Sequence, residues 1–459
     1  MPAHRLAAVI VLVVVLWLTE AIPLYASALL GCVWLLALRI VPTGHVLRAF
    51  IDPVVLLFVG SFMLARAMAA HRLDDRIARA ILSHPWVGGS AGRTLWAMGL
   101  VAWLLAMWVS ITACVALLMP VAVALASADQ KAQERAGRSS TAFDAALLLF
   151  LVYAASAGAM VTPVGTPPNL IGIAFIREHL GRSLSFAAWM SFGLPVGIVL
   201  LLVRYAITRA RFPLEQLPGQ GARLHDAAAP LGPWTRGQRS VAIAFLAAVA
   251  GWLGPGILEP LLQEGPLADM LRRLTPGTVA LIVAGALLLL PAGPAGGRVL
   301  RWTDALRIDW RTIALFGGGL ALGRAMLETG LSARLGSAIL GMTGSGSVPW
   351  LTGLAIAATT LLSELTSNTA AATMVIPVAL SATAGSPTDG LQLAVASTLA
   401  ASLGFMLPVS TPGIAMVYGS GRLRLTDVVR TGLLIDLTGI AVVWAAAVWL
   451  VPLGLAVWQ

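Results

Sequence analysis

Two clusters of small polar residues interrupt apolar runs at related places: Ser110-Ile111-Thr112, followed by Pro120, and Ser367-Asn368-Thr369, followed by Pro377. Two breaks accompany them, Gly165-Thr166-Pro167 and Ser410-Thr411-Pro412. Hydroxyls, an amide and the carbonyls that a break exposes offer hard oxygens to a small cation such as Na+. The N–H groups at the start of the next helix suit a carboxylate or another oxyanion. No Arg or Lys lies within several residues of these motifs, so a dianion held there needs co-bound cations to offset its charge. For one isolated Ser-x-Thr triplet, helix packing is the simpler account. Two triplets and two breaks at matched positions favour a binding site.

The elements that position them must be membrane helices. The chain is 58% hydrophobic and 11% charged, with a mean hydropathy of +0.88, against about 25% charged residues in soluble domains. A spanning helix takes about 20 apolar residues, which leaves room for about ten in this chain. No sustained alternation supports a lipid-facing β-barrel. Between Arg93 and Ser110 lie 16 residues, about 24 Å of helix, short of a hydrocarbon core of about 30 Å. That geometry predicts a re-entrant hairpin around each triplet, the first ending in a polar loop from Asp129 to Arg138. Gly165-Thr-Pro-Pro-Asn169 should break the run Ala145 to Ile176 near its middle.

An internal repeat orders these pieces. Leu57-Phe58, Gly60, Leu64 and Arg66-Ala67-Met68 recur as Leu315-Phe316, Gly318, Leu322 and Arg324-Ala325-Met326 at a shift of 258, and the triplets follow at 257. Ordered matches at a nearly constant offset indicate two halves, about 5–210 and 239–459. Such halves are expected to be inverted across the membrane with the site at their interface. The expected parts are 1–91 and 239–342 as scaffold, 92–210 and 343–459 as hairpin-bearing transport parts, and 211–238 as linker.

Other residues carry less. The net charge is +10, and every basic residue but Lys131 is Arg; stretches such as Arg204 to Arg211 and Arg298 to Arg311 are expected in loops that set topology. Cys32 and Cys114 sit in apolar surroundings as packing residues. Arg5 and the apolar run Leu6 to Leu18 imitate a signal peptide, but the Pro23 break and the next apolar run argue against cleavage. Glu20, Glu364 and Asp436 are intramembrane acids that could carry protons, with capping or scaffold hydrogen bonding as the favoured role. No metal-ligand spacing, phosphate loop or nucleophile motif points to an enzyme.

Taken together, Trp17-Leu-Thr-Glu-Ala-Ile-Pro23, Met107-Trp108-Val-Ser-Ile-Thr112, Gly165-Thr-Pro-Pro-Asn169, Glu364-Leu-Thr-Ser-Asn-Thr369 and Phe405-Met-Leu-Pro-Val-Ser-Thr-Pro412 resemble the divalent anion–sodium symporter family. Its members carry di- and tricarboxylates or sulfate and belong to the ion transporter superfamily. The resemblance covers essentially the whole chain. It implies a homodimer with an elevator-like alternation of a transport part against a scaffold, and no cofactor beyond Na+ as coupling ion. It assigns a first cation site to Ala106, Ser110, position 111 and Gly165, and a second to Ser363, Thr366, Asn368 and Ser410. Substrate contacts would come from Ser110, Thr112, Thr166, Ser367, Asn368, Thr369, Thr411 and Pro412.

Three departures stand out. Ile111 replaces the expected Asn, Ala106 replaces a frequent hydroxyl, and Pro412-Gly413-Ile414 stands where Pro-Pro-Asn is usual. The family's extra helix before Trp17 is also missing from the motif order. The implied function is a Na+-coupled dicarboxylate carrier, for substrates such as succinate, malate or fumarate, in a bacterial inner membrane, with its first cation site eroded. Alternatives are a cation-independent dicarboxylate exchanger, a carrier of sulfate or another oxyanion, or a non-transporting sensor or scaffold.

Overall fold

The computed structural model describes residues 2–87, 90–135, 142–214, 232–258, 261–262, 265–293, 297–343, 347–383 and 387–453. The first half forms α1 (Pro2–Thr19), α2 (Leu24–Ala37), α3 (Thr43–Phe50), α4 (Pro53–Ala70), α5 (Leu73–Leu82), α6 (Ala91–Ala106), α7 (Ile111–Arg135), α8 (Ala142–Ala159), α9 (Pro167–Leu180) and α10 (Phe186–Arg211). The second forms α11 (Arg236–Leu258), α12 (Pro266–Arg273), α13 (Pro276–Leu289), α14 (Trp302–Ala305), α15 (Trp310–Glu328), α16 (Leu331–Thr343) and α17 (Val348–Leu365). It continues with α18 (Asn368–Ala382), α19 (Pro387–Ala400), α20 (Pro412–Gly419) and α21 (Leu425–Ala445), which runs into a π-helical turn, Ala446–Leu450. Among the described residues there is no strand, only an isolated bridge between Pro291 and Arg298.

Among the described residues, seven helical stretches are long and apolar enough to cross a membrane, and five shorter apolar helices accompany them. This is the all-α polytopic architecture that the hydropathy demands. Local chemistry starts and stops the helices. Asp52 Oδ1 accepts the Val54 N–H at 2.9 Å at the head of α4, with Pro53 in the first turn. Gly181, at φ 65°, closes α9. Glu20 turns the chain between α1 and α2 at φ 49° and is exposed.

Two helices form the centre. Every described residue of α8 after Ala142 is buried, and α19 is buried throughout 390–400. The two are tied where Ser156 Oγ donates to Ser402 O at 3.0 Å. α6, α7 and α10 pack on α8, while α9, α17 and α18 pack on α19. The second pieces cross over: α9 lies against α18, and α20 against α7 and α8. Each half therefore completes the surroundings of the other half's hairpin. Among the outer helices, α2 packs on α15 and α4 on α13, again joining the halves.

Two sequence expectations need correction. The expected polar loop after Asp129 is helical through Arg135, because its Gln, Lys, Ala and Glu residues are good helix formers; residues 136–141 lie outside the described residues. Arg204 to Arg211 form the last turns of α10 rather than a loop, and Arg204 and Thr208 are buried. Most of the expected linker 211–238 lies outside the described residues. Cys32 and Cys114 are buried free thiols, as their apolar neighbourhoods implied.

Small residues permit the closest approaches. A Cβ on Gly158 of α8 would lie 2.0 Å from Trp103 O of α6, and the Trp103 indole donates to Gly197 O at 3.2 Å. Gly158→Ala is therefore expected to push α6 away and to cost about 1–3 kcal/mol of stability, the usual range for overpacking. Thermal unfolding of the purified protein, followed by monodispersity, checks this; an unchanged melting temperature would show that the contact is slack.

Candidate functional site

All four polar motifs sit where one helix ends and another begins. α6 ends before Met107 and α7 starts after Ser110; α17 ends at Leu365 and α18 starts after Ser367. α8 and α9 are separated by residues 160–166, and α19 and α20 by residues 401–411. The motif hydroxyls are caps: Ser110 Oγ accepts Ala113 N–H at 3.3 Å, Ser367 Oγ accepts Ala370 N–H at 3.2 Å, and Thr411 Oγ1 accepts Ile414 N–H at 3.3 Å. Thr166 caps α9 in an extended conformation without a side-chain bond. Each motif thus joins a helix C-terminus, whose carbonyls favour a cation, to a helix N-terminus, whose N–H groups favour an anion.

At the second tip part of the expected set comes together. Ser363 Oγ lies 2.9 Å from Asn368 Oδ1 and 2.8 Å from Ala401 O. One hydroxyl proton cannot serve both contacts; turning the Asn368 amide over lets its N–H donate to Ser363 Oγ, and Ser363 then donates to Ala401 O. Gly404, at φ 128°, has its backbone close to Ser363, so that an added Cβ would meet Ser363 Oγ at 3.3 Å. Ser410 Oγ donates to Gly404 O at 2.9 Å and approaches Leu407 O at 2.8 Å. Asn368, Ser363, Ser410 and the carbonyls of Ala401 and Gly404 thereby form an oxygen-lined corner between the hairpin and the broken helix. Thr366 is buried beside it, but its hydroxyl turns back to Leu362 O at 2.9 Å. Thr369 is buried behind the cap, and Pro412 is exposed in the first turn of α20.

The first tip is built differently. Thr162 Oγ1 donates to Met107 O, pinning the hairpin turn to the unwound segment. Asn169 is fully buried and bridges the break, donating to Ala159 O at 3.0 Å and Thr162 O at 2.8 Å. Gly165 backs onto Ala159 O, where a Cβ would come within 2.4 Å. Ser110 and Ile111 are half-buried, Thr112 is exposed, and Ala106 is buried. Among the described residues no hydrogen bond joins Ser110 to Gly165. A Cβ on Gly413 would lie 3.5 Å from Ile111 Cγ2 and 3.0 Å from Val152 Cγ1. Two departures from the family pattern, Ile111 and Pro412-Gly413-Ile414, therefore meet in one apolar contact between α7 and α20.

Glu364 and Asp436 hold the break between α19 and α20. Asp436 Oδ1 and Oδ2 accept the N–H groups of Gly404 and Phe405, each at 3.0 Å. Glu364 Oε1 and Oε2 accept those of Met406 and Leu407 at 2.8 and 3.1 Å. Four consecutive donors freed by the break thus meet four carboxylate oxygens. Sequence reasoning found both acids but not this shared duty, because Asp436 lies 32 positions from its first partner. It also missed Thr162, and it missed a second charge cluster in which Asp52 Oδ2 pairs with Arg177 and Arg324 at 2.6 Å each.

With this geometry in hand, comparison with known proteins decides the family. The family model described as the sodium:sulfate symporter transmembrane region matches residues 1–456. The chain belongs to that family. It is a multi-pass membrane transporter by descent, not an enzyme. The sodium-dependent dicarboxylate transporter SdcS of Staphylococcus saprophyticus is 32% identical over 459 residues, covering 96% of this chain and 85% of its own. SdcS of Staphylococcus aureus strain MRSA252 is 30% identical over 455 residues, covering 96% and 84%. The crystal structure of the Alcanivorax borkumensis YdaH transporter superposes with a TM-score of 0.54 at 14% identity, over 88% of this chain and 85% of that one, a likeness of fold alone.

In this sodium:sulfate symporter family member, Asp436→Ala should leave Gly404 and Phe405 N–H groups buried and unpaired. At about 1–3 kcal/mol for each orphaned donor, a loss of about 2–6 kcal/mol is expected. Thermal unfolding in detergent measures it; a loss below that of an exposed control substitution would contradict its hold on the break.

Proposed function

We propose that this chain is a secondary active transporter of small dicarboxylates of the succinate, malate and fumarate kind, coupled to Na+ at the second tip. The observation that carries the reading is the convergence of Ser363, Asn368 and Ser410 with the Ala401 and Gly404 carbonyls beside two helix N-termini. The donor set is all hard oxygen, which suits a small alkali cation. The relatives named above as sodium-dependent dicarboxylate transporters support the substrate class. Substrate carboxylates would lie at the N-terminal ends of α7, α9, α18 and α20, near Ser110, Thr112, Thr166, Ser367, Asn368, Thr369, Thr411 and Pro412. No cationic side chain stands at the tips, so the helix ends and the bound cation must together offset the dianion. Cation and anion binding are then mutually favourable, which is the physical basis of symport.

The same reading takes 92–210 and 343–459 as the moving parts and 1–91 and 239–342 as the scaffold, paired as a homodimer in a bacterial inner membrane. Ile111 gives a first cation site without its amide, so coupling should rest mainly on the second. That apolar contact also favours a second reading, a dicarboxylate exchanger independent of cations.

Uptake of radiolabelled succinate into proteoliposomes, with and without a Na+ gradient and with or without internal dicarboxylate, separates the two. Saturable uptake that needs inward Na+ supports symport; uptake needing only internal anion supports exchange; no flux of any dicarboxylate under either condition refutes both. Asn368→Ala is expected to abolish uptake, since it removes an oxygen ligand and a contact of Ser363. Ile111→Asn is expected to steepen the Na+ dependence, read as a higher Hill coefficient. An unchanged Na+ response in that variant would mean that position 111 no longer faces a cation path.

A further inference from the structure

Arg204 is a charge inside the bundle to which no sequence motif points. Its side chain on α10 is fully buried. Nη1 donates to Tyr153 O at 2.6 Å, the guanidinium carbon sits 4.9 Å from the centre of the Phe405 ring, and Nε and Nη2 have no hydrogen-bond partner among the described residues. Phe405 belongs to the unwound stretch whose N–H groups the two acids accept, and its ring meets Tyr153 edge-on at 5.3 Å. Asp436 lies within electrostatic reach of Arg204, and both acids reach the Tyr153 phenol. Helices α17 and α21 thus bond the 404–407 backbone through Glu364 and Asp436, while α8 and α10 place Tyr153 and Arg204 against the Phe405 ring. A lone guanidinium in such an interior is strongly disfavoured, and so are two lone carboxylates. With Asp436 in electrostatic reach of Arg204, each charge makes the other more tolerable.

We propose that Arg204 is a positioning residue for the second cation site: its charge offsets Asp436 and its guanidinium over the Phe405 ring holds residues 404–407 unwound. The consequence runs through Gly404. Its N–H is fixed by Asp436 while its C=O accepts the Ser410 hydroxyl, so the backbone held by the acids is the backbone that presents Ser410 towards Ser363 and Asn368. Arg204 itself touches neither ion nor substrate. The cation half of this inference rests on the transport reading above; the hold on 404–407 does not, because it can be observed without any ion.

Hydrogen–deuterium exchange on the full chain in detergent, followed in peptides covering 404–407, tests the hold. Arg204→Met is expected to speed exchange there about tenfold, the equivalent of one lost charge-assisted interaction, with hairpin α6–α7 unchanged. Arg204→Lys, which keeps the charge, should stay close to the parent protein. In proteoliposomes Arg204→Met should raise the half-saturating Na+ concentration by a similar factor, with Arg204→Lys recovering most of it; a merely structural role would lower the maximal rate alone. A folded Arg204→Met protein with unchanged exchange at 404–407 overturns the proposal. Faster exchange without a shift in half-saturating Na+ supports the hold but overturns the link to a cation. If Arg204→Met does not fold, Arg204→Lys and Arg204→Gln, similar in length and differing in charge, are compared in its place, and equal exchange at 404–407 in the two overturns the charge-balance argument.

Discussion

Everything in this bundle depends on partners for backbone groups that a broken helix leaves unpaired at membrane depth. Lipid offers no hydrogen bonds, so a helix can be interrupted there only where protein replaces the lost partners. Four interruptions exist, and each is served by a named side chain. Hydroxyl caps close three helix starts, Asn169 spans one break, and Glu364 with Asp436 spans the other. The groups left over, carbonyls on one side and N–H ends on the other, are what a cation and an anion can use.

The two halves solve this problem with different chemistry. In the first, a neutral amide bridges the gap and the hairpin turn is pinned by Thr162 to Met107 O. In the second, the position matching Asn169 is Ile414, and two carboxylates take over with Arg204 as counter-charge. At the first tip Ile111 lies against the Gly413 region, where the second tip has the Ser363–Asn368 contact. The crossing of α9 onto α18 and of α20 onto α7 means that neither tip is built by one half alone.

Much of this was legible beforehand. The triplets, the Thr-Pro breaks and the short runs before them predicted interrupted helices, and all four interruptions lie where the residues placed them. Of the expected set Ser363, Thr366, Asn368 and Ser410, Ser363 meets Asn368 and Ser410 bonds Gly404 O, whereas Thr366 turns its hydroxyl to its own helix; among the described residues Ser110 is not joined to Gly165. Sequence alone places Arg204 among the loop charges. Nothing local marks it otherwise, since Arg close to a helix end is ordinary and its partners lie on α8, the unwound segment and α21.

The sequence by itself determined that the chain crosses a membrane, that it contains a duplicated motif, and where its helices break. Those properties follow from hydropathy, spacing and the backbone limits of Gly and Pro, all of which act over a few residues. Only the tertiary structure decided that Ile111 and Gly413 come to lie close together, that the acids hold four consecutive N–H groups, and that a buried guanidinium stands behind them. These depend on which helices come to share a neighbourhood, and a burial or a charge balance between segments hundreds of residues apart leaves no trace in local spacing.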